Sequence, residues 1–123
     1  MSKKVLIVED DNILQKAIHA ALKAEGYEVI QAFDGEEGFK KIKKEKPDLV
    51  ILDLLMPVQP GEWVLKQMCE KKIIDDYPVI VLSVKKNKAN VNNCINELKA
   101  NDYLFKGDYS LERIIEKVKK NIK

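Results

Sequence analysis

Apolar residues in this chain come in two rhythms. Short unbroken runs alternate with longer stretches in which they recur every three or four positions. The runs are Lys4 to Val8 (KVLIV), Leu49 to Leu52 (LVIL) and Val79 to Leu82 (VIVL). Rich in branched side chains, they predict strands buried on both faces of a parallel sheet. Glu28 to Ala32 and Asp102 to Phe105 predict two shorter strands. The periodic stretches predict five helices. The first runs from Asn12 to Glu25, with Ile13, Leu14, Ala17, Ile18, Ala21 and Leu22 inward, and Gly26 ends it in a left-handed turn. Asp34 and Glu37 form a capping box for the second, which reaches about Lys44 with Phe39 and Ile42 inward before Pro47 closes it. Pro60 and Gly61 open the third, with Val64, Leu65 and Met68 inward. Val91, Cys94, Ile95 and Leu98 mark the fourth. Ser110 caps the last, whose inward face is Leu111, Ile114, Ile115, Val118 and Ile122.

Strand then helix, five times over with short loops, is the pattern of an α/β protein. It predicts a parallel sheet covered on both sides, with right-handed crossovers. The 123 residues suit a single domain, 1–123, without repeat or linker. The net charge of +2, from 22 basic and 20 acidic residues, gives no mandate for nucleic acid or an anionic membrane. No apolar stretch approaches the roughly 20 residues of a membrane span. Residues 1 to 9 carry no signal-peptide pattern, so a cytoplasmic location is the expectation. Cys69 and Cys94 are expected as buried free thiols. His19, the only histidine, falls off the apolar face and is expected in solvent.

Chemistry enters at the strand ends. The first strand runs into Glu9-Asp10-Asp11, the third into Asp53, the fourth into Ser83 and the fifth into Lys106. In a parallel sheet these ends share one edge, where open α/β sheets bind ligands. Asp11 is better placed to cap the first helix than to bind anything. Carboxylates gathered there repel, by about 4 kcal/mol per pair at ~4 Å and an effective dielectric of ~20. A hard divalent cation such as Mg²⁺ relieves that repulsion. A metal, a lysine and a hydroxyl together match the oxygens of a phosphoryl group, and a carboxylate can be the nucleophile that takes it.

These residues resemble the receiver domain of two-component response regulators. VLIVEDD is similar to that family's first motif, with Glu9 and Asp10 at the acidic pair. DLVILDLLMPVQPG is similar to the second, with Asp53 at the phosphoacceptor and Met56, Pro57 and Gly61 at their usual offsets. VIVLS puts Ser83 at the switch hydroxyl, and ANDYLFK puts Lys106 at the lysine and Tyr103 at the switch aromatic. The resemblance runs from Lys4 to about Val118. It implies a flavodoxin-like (βα)5 three-layer sandwich with strand order 2-1-3-4-5. It implies Mg²⁺ held by Asp10, Asp53 and the backbone carbonyl of Leu55, with Glu9 acting through water. Asp53 would take a phosphoryl group from a sensor histidine kinase or phosphotransfer protein, with Lys106 and Ser83 gripping its oxygens. Ser83 and Tyr103 would then repack the face of the fourth helix, fifth strand and fifth helix, which a downstream effector or output domain reads. A phosphorylation-dependent homodimer is also compatible. The implied domain signals and is not an enzyme beyond its own phosphorylation and dephosphorylation.

Three positions depart from the family pattern. Gly107 replaces the proline after the lysine, so a trans bond, a reshaped loop and a less fixed Lys106 are expected. Val84 replaces a small residue after Ser83 and is expected to narrow the approach to Asp53. Trp63 is expected to be partly exposed along the third helix. Leu55 and Lys85, each two beyond a site residue, leave phosphoryl lifetime open. Other readings fit less well. A haloacid dehalogenase wants an acid where Leu55 stands, and a flavodoxin phosphate loop would not carry Glu9-Asp10-Asp11. A degenerate receiver acting as a phosphorylation-independent interaction module is the remaining alternative.

Overall fold

The computed structural model describes residues 2–84, 87–108 and 110–122. Five strands form one parallel sheet: β1 (Lys4–Val8), β2 (Glu28–Ala32), β3 (Leu49–Asp53), β4 (Val79–Ser83) and β5 (Asp102–Phe105), in the order β2-β1-β3-β4-β5. That is the α/β, flavodoxin-like order that the resemblance implies. The intervening helices are α1 (Asn12–Ala24), α2 (Gly35–Glu45), α3 (Gly61–Glu70), α4 (Lys88–Asn92) and α5 (Leu111–Asn121).

Alternation along the strands builds two cores. Leu6, Val8, Val50, Leu52, Val79 and Val81 pack under α2, α3 and the α4 segment, against Phe39, Ile42, Leu65, Met68 and Cys94. Their neighbours Val5, Ile7, Leu49, Ile51, Ile80 and Leu82 pack against Ile18 and Leu22 of α1 and Ile114 and Val118 of α5. Period-two strands and helices on both faces give three layers. The register of β3 on β4 sets Asp53 beside Leu82, and that of β4 on β5 sets Ser83 beside Phe105.

The predicted caps form. Asp11 Oδ1 accepts from the backbone N–H groups of Ile13 and Leu14 at 2.9 and 3.3 Å. Asp34 Oδ1 accepts from the Glu37 N–H at 2.8 Å, while Glu37 Oε1 reaches back to the N–H of Phe33 at 2.6 Å, one residue before the cap. Ser110 Oγ accepts from the Arg113 N–H at 3.1 Å. Gly26 has φ +93° at the end of α1.

Four expectations need correction. Ile13 is 82% exposed, because the first turn of α1 stands past the end of β1 and has no sheet beneath it. The buried arc instead takes in Gln15 with Ile18 and Leu22. The fourth helix is a single α-helical stretch that passes into a π-helical turn at Asn93–Glu97, which still buries Cys94. His19 and Cys69 are both half-buried rather than fully solvated and fully buried. Neither cysteine forms a disulfide. Trp63 is half-buried as expected, its ring edge-on to Phe39 with centroids 5.8 Å apart.

Candidate functional site

The ends of β1, β3, β4 and β5 meet at one edge of the sheet, and the acids there are not equivalent. Glu9 and Asp53 are buried, and Asp10 faces solvent. One oxygen from each of the three lies within 4.8 Å of the others. Lys106 reaches across from β5, its Nζ 2.9 Å from Glu9 Oε1 and 3.2 Å from Asp53 Oδ1. Lys106 thus lies between two carboxylates.

Local structure explains how these groups are presented. Gln15, fully buried, donates from Nε2 toward the carbonyls of Ile7, Glu9 and Ala32 at 3.2, 3.0 and 3.0 Å. It ties the ends of β1 and β2 to α1 directly behind Glu9. The Glu9 carboxylate also accepts from the Asp11 N–H at 3.1 Å. Beside Asp53, the Gly61 N–H donates to the Leu54 carbonyl at 3.0 Å. A Cβ on Gly61 would overlap the backbone oxygen of Asp53, so glycine lets α3 start against the end of β3. The Leu55 N–H lies 3.5 Å from Asp53 Oδ1.

Burial sets the electrostatics. It pushes the Glu9 carboxyl up to about 7, helped by the charge of Asp53 and opposed by Lys106 and the Asp11 N–H. Asp53 is raised as well, again by burial, with Lys106 working against the rise. Burial alone would lower Lys106, but its hydrogen bond to Glu9 and the charges of Asp53 and Glu9 raise it. Three carboxylates against one ammonium leave an excess of two negative charges when all are ionised. A set of hard oxygen donors with that excess fits a divalent cation of the Mg²⁺ kind. Glu9, Asp10 and Asp53 are the side chains that could hold it.

Ser83, fully buried, ends β4, and Val84 after it is exposed at the start of the loop. Lys85 lies outside the described residues. Tyr103, half-buried in the middle of β5, receives a hydrogen bond at its hydroxyl from Asn90 Nδ2 of α4, at 2.6 Å. Asp11 is spent as a helix cap. No peptide bond among the described residues is cis, so Lys106-Gly107 is trans, and Lys106–Asp108 forms a 3-10 turn. Sequence reasoning missed two residues here. Gln15 had a signal, since a polar residue on the buried arc of a helix needs a buried partner. Asn90 had none, because its partner is thirteen residues away on another element.

The family model of the response regulator receiver domain matches residues 5–119. This chain is a receiver domain. The alkaline phosphatase synthesis transcriptional regulatory protein PhoP of Bacillus subtilis is 38% identical to it over 106 residues. That match takes in 86% of this receiver domain and 43% of PhoP, so the chain spans less than half of the length of that curated relative. Solved receiver structures superpose closely. A CheY-like response regulator receiver domain protein from Methanospirillum hungatei is 27% identical with a TM-score of 0.87, over 98% of this chain and 93% of that one. The receiver domain of the Francisella response regulator 1452 is 28% identical with a TM-score of 0.87, over 97% and 95%. No helix among the described residues is long and apolar enough to cross a membrane.

Proposed function

We propose that this receiver domain takes a phosphoryl group onto Asp53 from a phosphohistidine of a sensor histidine kinase or phosphotransfer protein. The observation that carries the reading is Asp53 itself. It is a buried carboxylate at a strand end, 3.2 Å from the Lys106 ammonium and grouped with Glu9 and Asp10. An Oδ of Asp53 attacks phosphorus, the P–N bond breaks, and the imidazole leaves with the bonding electrons. Mg²⁺ would sit on Asp10, Asp53 and the Leu55 carbonyl, with Glu9 acting through water, and would supply positive charge to the phosphoryl oxygens. Lys106 is already beside Asp53 and needs only to exchange Glu9 for a phosphoryl oxygen. Ser83 would donate its hydroxyl to another.

The product adds roughly two negative charges. They draw Ser83 inward, and Tyr103 moves into the space it leaves. Its bond to Asn90 breaks, and the face of α4, β5 and α5 repacks as a population shift. An effector, an output domain or a second copy of the chain then reads that face. The test is intact mass after incubation with acetyl phosphate and Mg²⁺. Wild type is expected to gain one phosphoryl group and Asp53→Asn none. No gain on wild type would overturn the proposal in favour of a phosphorylation-independent interaction module. An undiminished gain on Asp53→Asn would overturn the role of Asp53.

A further inference from the structure

Gly107 occupies the position after the site lysine, and its backbone does not explain it. Among the described glycines only Gly26 uses the left-handed region. Space explains it instead. A Cβ built on Gly107 would lie 2.7 Å from Cζ and 3.0 Å from Cδ2 of Phe105, and closer still to Cε2. Non-bonded carbons rest at roughly 3.5–4.0 Å, so the half-buried ring as placed occupies the space of a Cβ at 107 and has to swing aside to admit one. Phe105 is the last residue of β5 and is registered with Ser83 of β4. Its ring therefore folds from the strand end, over the backbone of Lys106, onto the 3-10 turn Lys106–Asp108. The residue spanned by this contact is the one whose ammonium meets Glu9 and Asp53.

We infer that Phe105 and Gly107 are a matched pair of positioning residues: the ring, seated on the bare glycine, fixes the turn that aims Lys106 at Asp53. A ring clamped across the turn replaces the stiffness that a proline would supply from within the backbone. Two consequences separate this from a ring that only covers apolar surface. A side chain at 107 harms the site through the ring, so its effect disappears when the ring is absent. The pair acts through the lysine, so its effect disappears when the lysine is absent.

The kinetic arm rests on the phosphoacceptor reading above. Initial rates of Asp53 labelling by acetyl phosphate with Mg²⁺ would be compared for wild type, Gly107→Ala, Phe105→Ala and the double variant, each also in a Lys106→Ala background. Gly107→Ala is expected to slow labelling by about tenfold, within the range that misplacing a catalytic group costs. The double variant is expected to be no slower than Phe105→Ala, and none of these changes should add to Lys106→Ala. The second arm is independent of phosphorylation. It follows the ¹³Cε resonance of Lys106, identified by its loss in Lys106→Arg. Gly107→Ala and Phe105→Ala should each move that resonance toward the position of a solvated lysine, and the double variant should match Phe105→Ala alone. A harmless Gly107→Ala would show that the ring swings aside freely, and would overturn the pair. Equal damage from Gly107→Ala with and without the ring would overturn it too. Wild type that does not label removes the phosphoacceptor reading, and the lysine resonance then decides the pair alone.

Discussion

Val58 is the residue under most visible strain. Its φ is +67°, and the Gln59 N–H donates to the Pro57 carbonyl at 2.8 Å, which closes a three-residue γ-turn around it. A β-branched side chain at positive φ is a clear outlier. The turn persists because its surroundings hold it. The Gln59 backbone oxygen lies where a Cβ on Gly35 would be, so the loop is seated on the start of α2. The left-handed region costs an L-residue roughly 1–2 kcal/mol, and glycine gives back about 0.5–1 kcal/mol through its freer unfolded state. Val58→Gly is therefore expected to stabilise the domain by about 0.5–1 kcal/mol, raising the thermal midpoint by about 2–5 °C. A melt with an unchanged or lower midpoint would contradict this. Nothing in the sequence flags Val58, since it is among the last residue types expected at such a φ. Asp53 was the opposite case. An acid ending the apolar run of β3 contradicts its surroundings, and that contradiction is legible without a structure. The sequence could not separate Glu9, buried against Lys106, from Asp10 in solvent, because that difference depends on how β5 lies.

At the scale of elements, α4 and α5 contrast. α5 was legible because its signals are local: Ser110 at the cap, then a stripe from Leu111 to Ile122. The α4 segment was legible only in part. Val91, Cys94, Ile95 and Leu98 fit a helical period, but such spacing does not show the extra residue per turn of a π-helix at Asn93–Glu97. The same segment supplies Asn90, whose bond to Tyr103 holds the proposed switch side chain in its present position. One such bond is worth about 1 kcal/mol net, or roughly a fivefold bias between two positions. Asn90→Ala is expected to raise the inward population of Tyr103 about fivefold before any phosphorylation. The ring resonances of Tyr103 report this directly, and unchanged shifts would count against a holding role for Asn90.

Across the whole molecule, the cluster at the sheet edge shapes stability against pH. Glu9 titrates near its ordinary 4.5 when unfolded and at about 7 when folded, and Asp53 is shifted the same way. The folded state then binds more protons than the unfolded state over that interval, so stability falls as pH rises from about 4.5 to about 7. Asp102 has the opposite sign. Its hydrogen bonds from Lys117, the Tyr103 N–H and Asn121 outweigh its burial and lower it, so its contribution is lost as pH falls below the ordinary 3.8. Thermal midpoints measured across this range should decline toward neutral pH, and Glu9→Gln should flatten the decline. An equally steep decline in Glu9→Gln would show that its source lies elsewhere. The parallel topology that creates this cluster was readable from the alternation of strands and helices, because it needs only the order of elements. The thiol of Cys94 gives the fold a further property. It is fully enclosed, within the π-helical turn beside α4, and a buried thiol reacts only when its surroundings open. In a Cys69→Ser background, its rate of modification by a thiol reagent becomes a clock for opening of the α4 segment. Under the proposed phosphorylation of Asp53 that clock should run faster after treatment with acetyl phosphate and Mg²⁺, and an unchanged rate on labelled protein would mean that the segment stays shut when Asp53 carries the group.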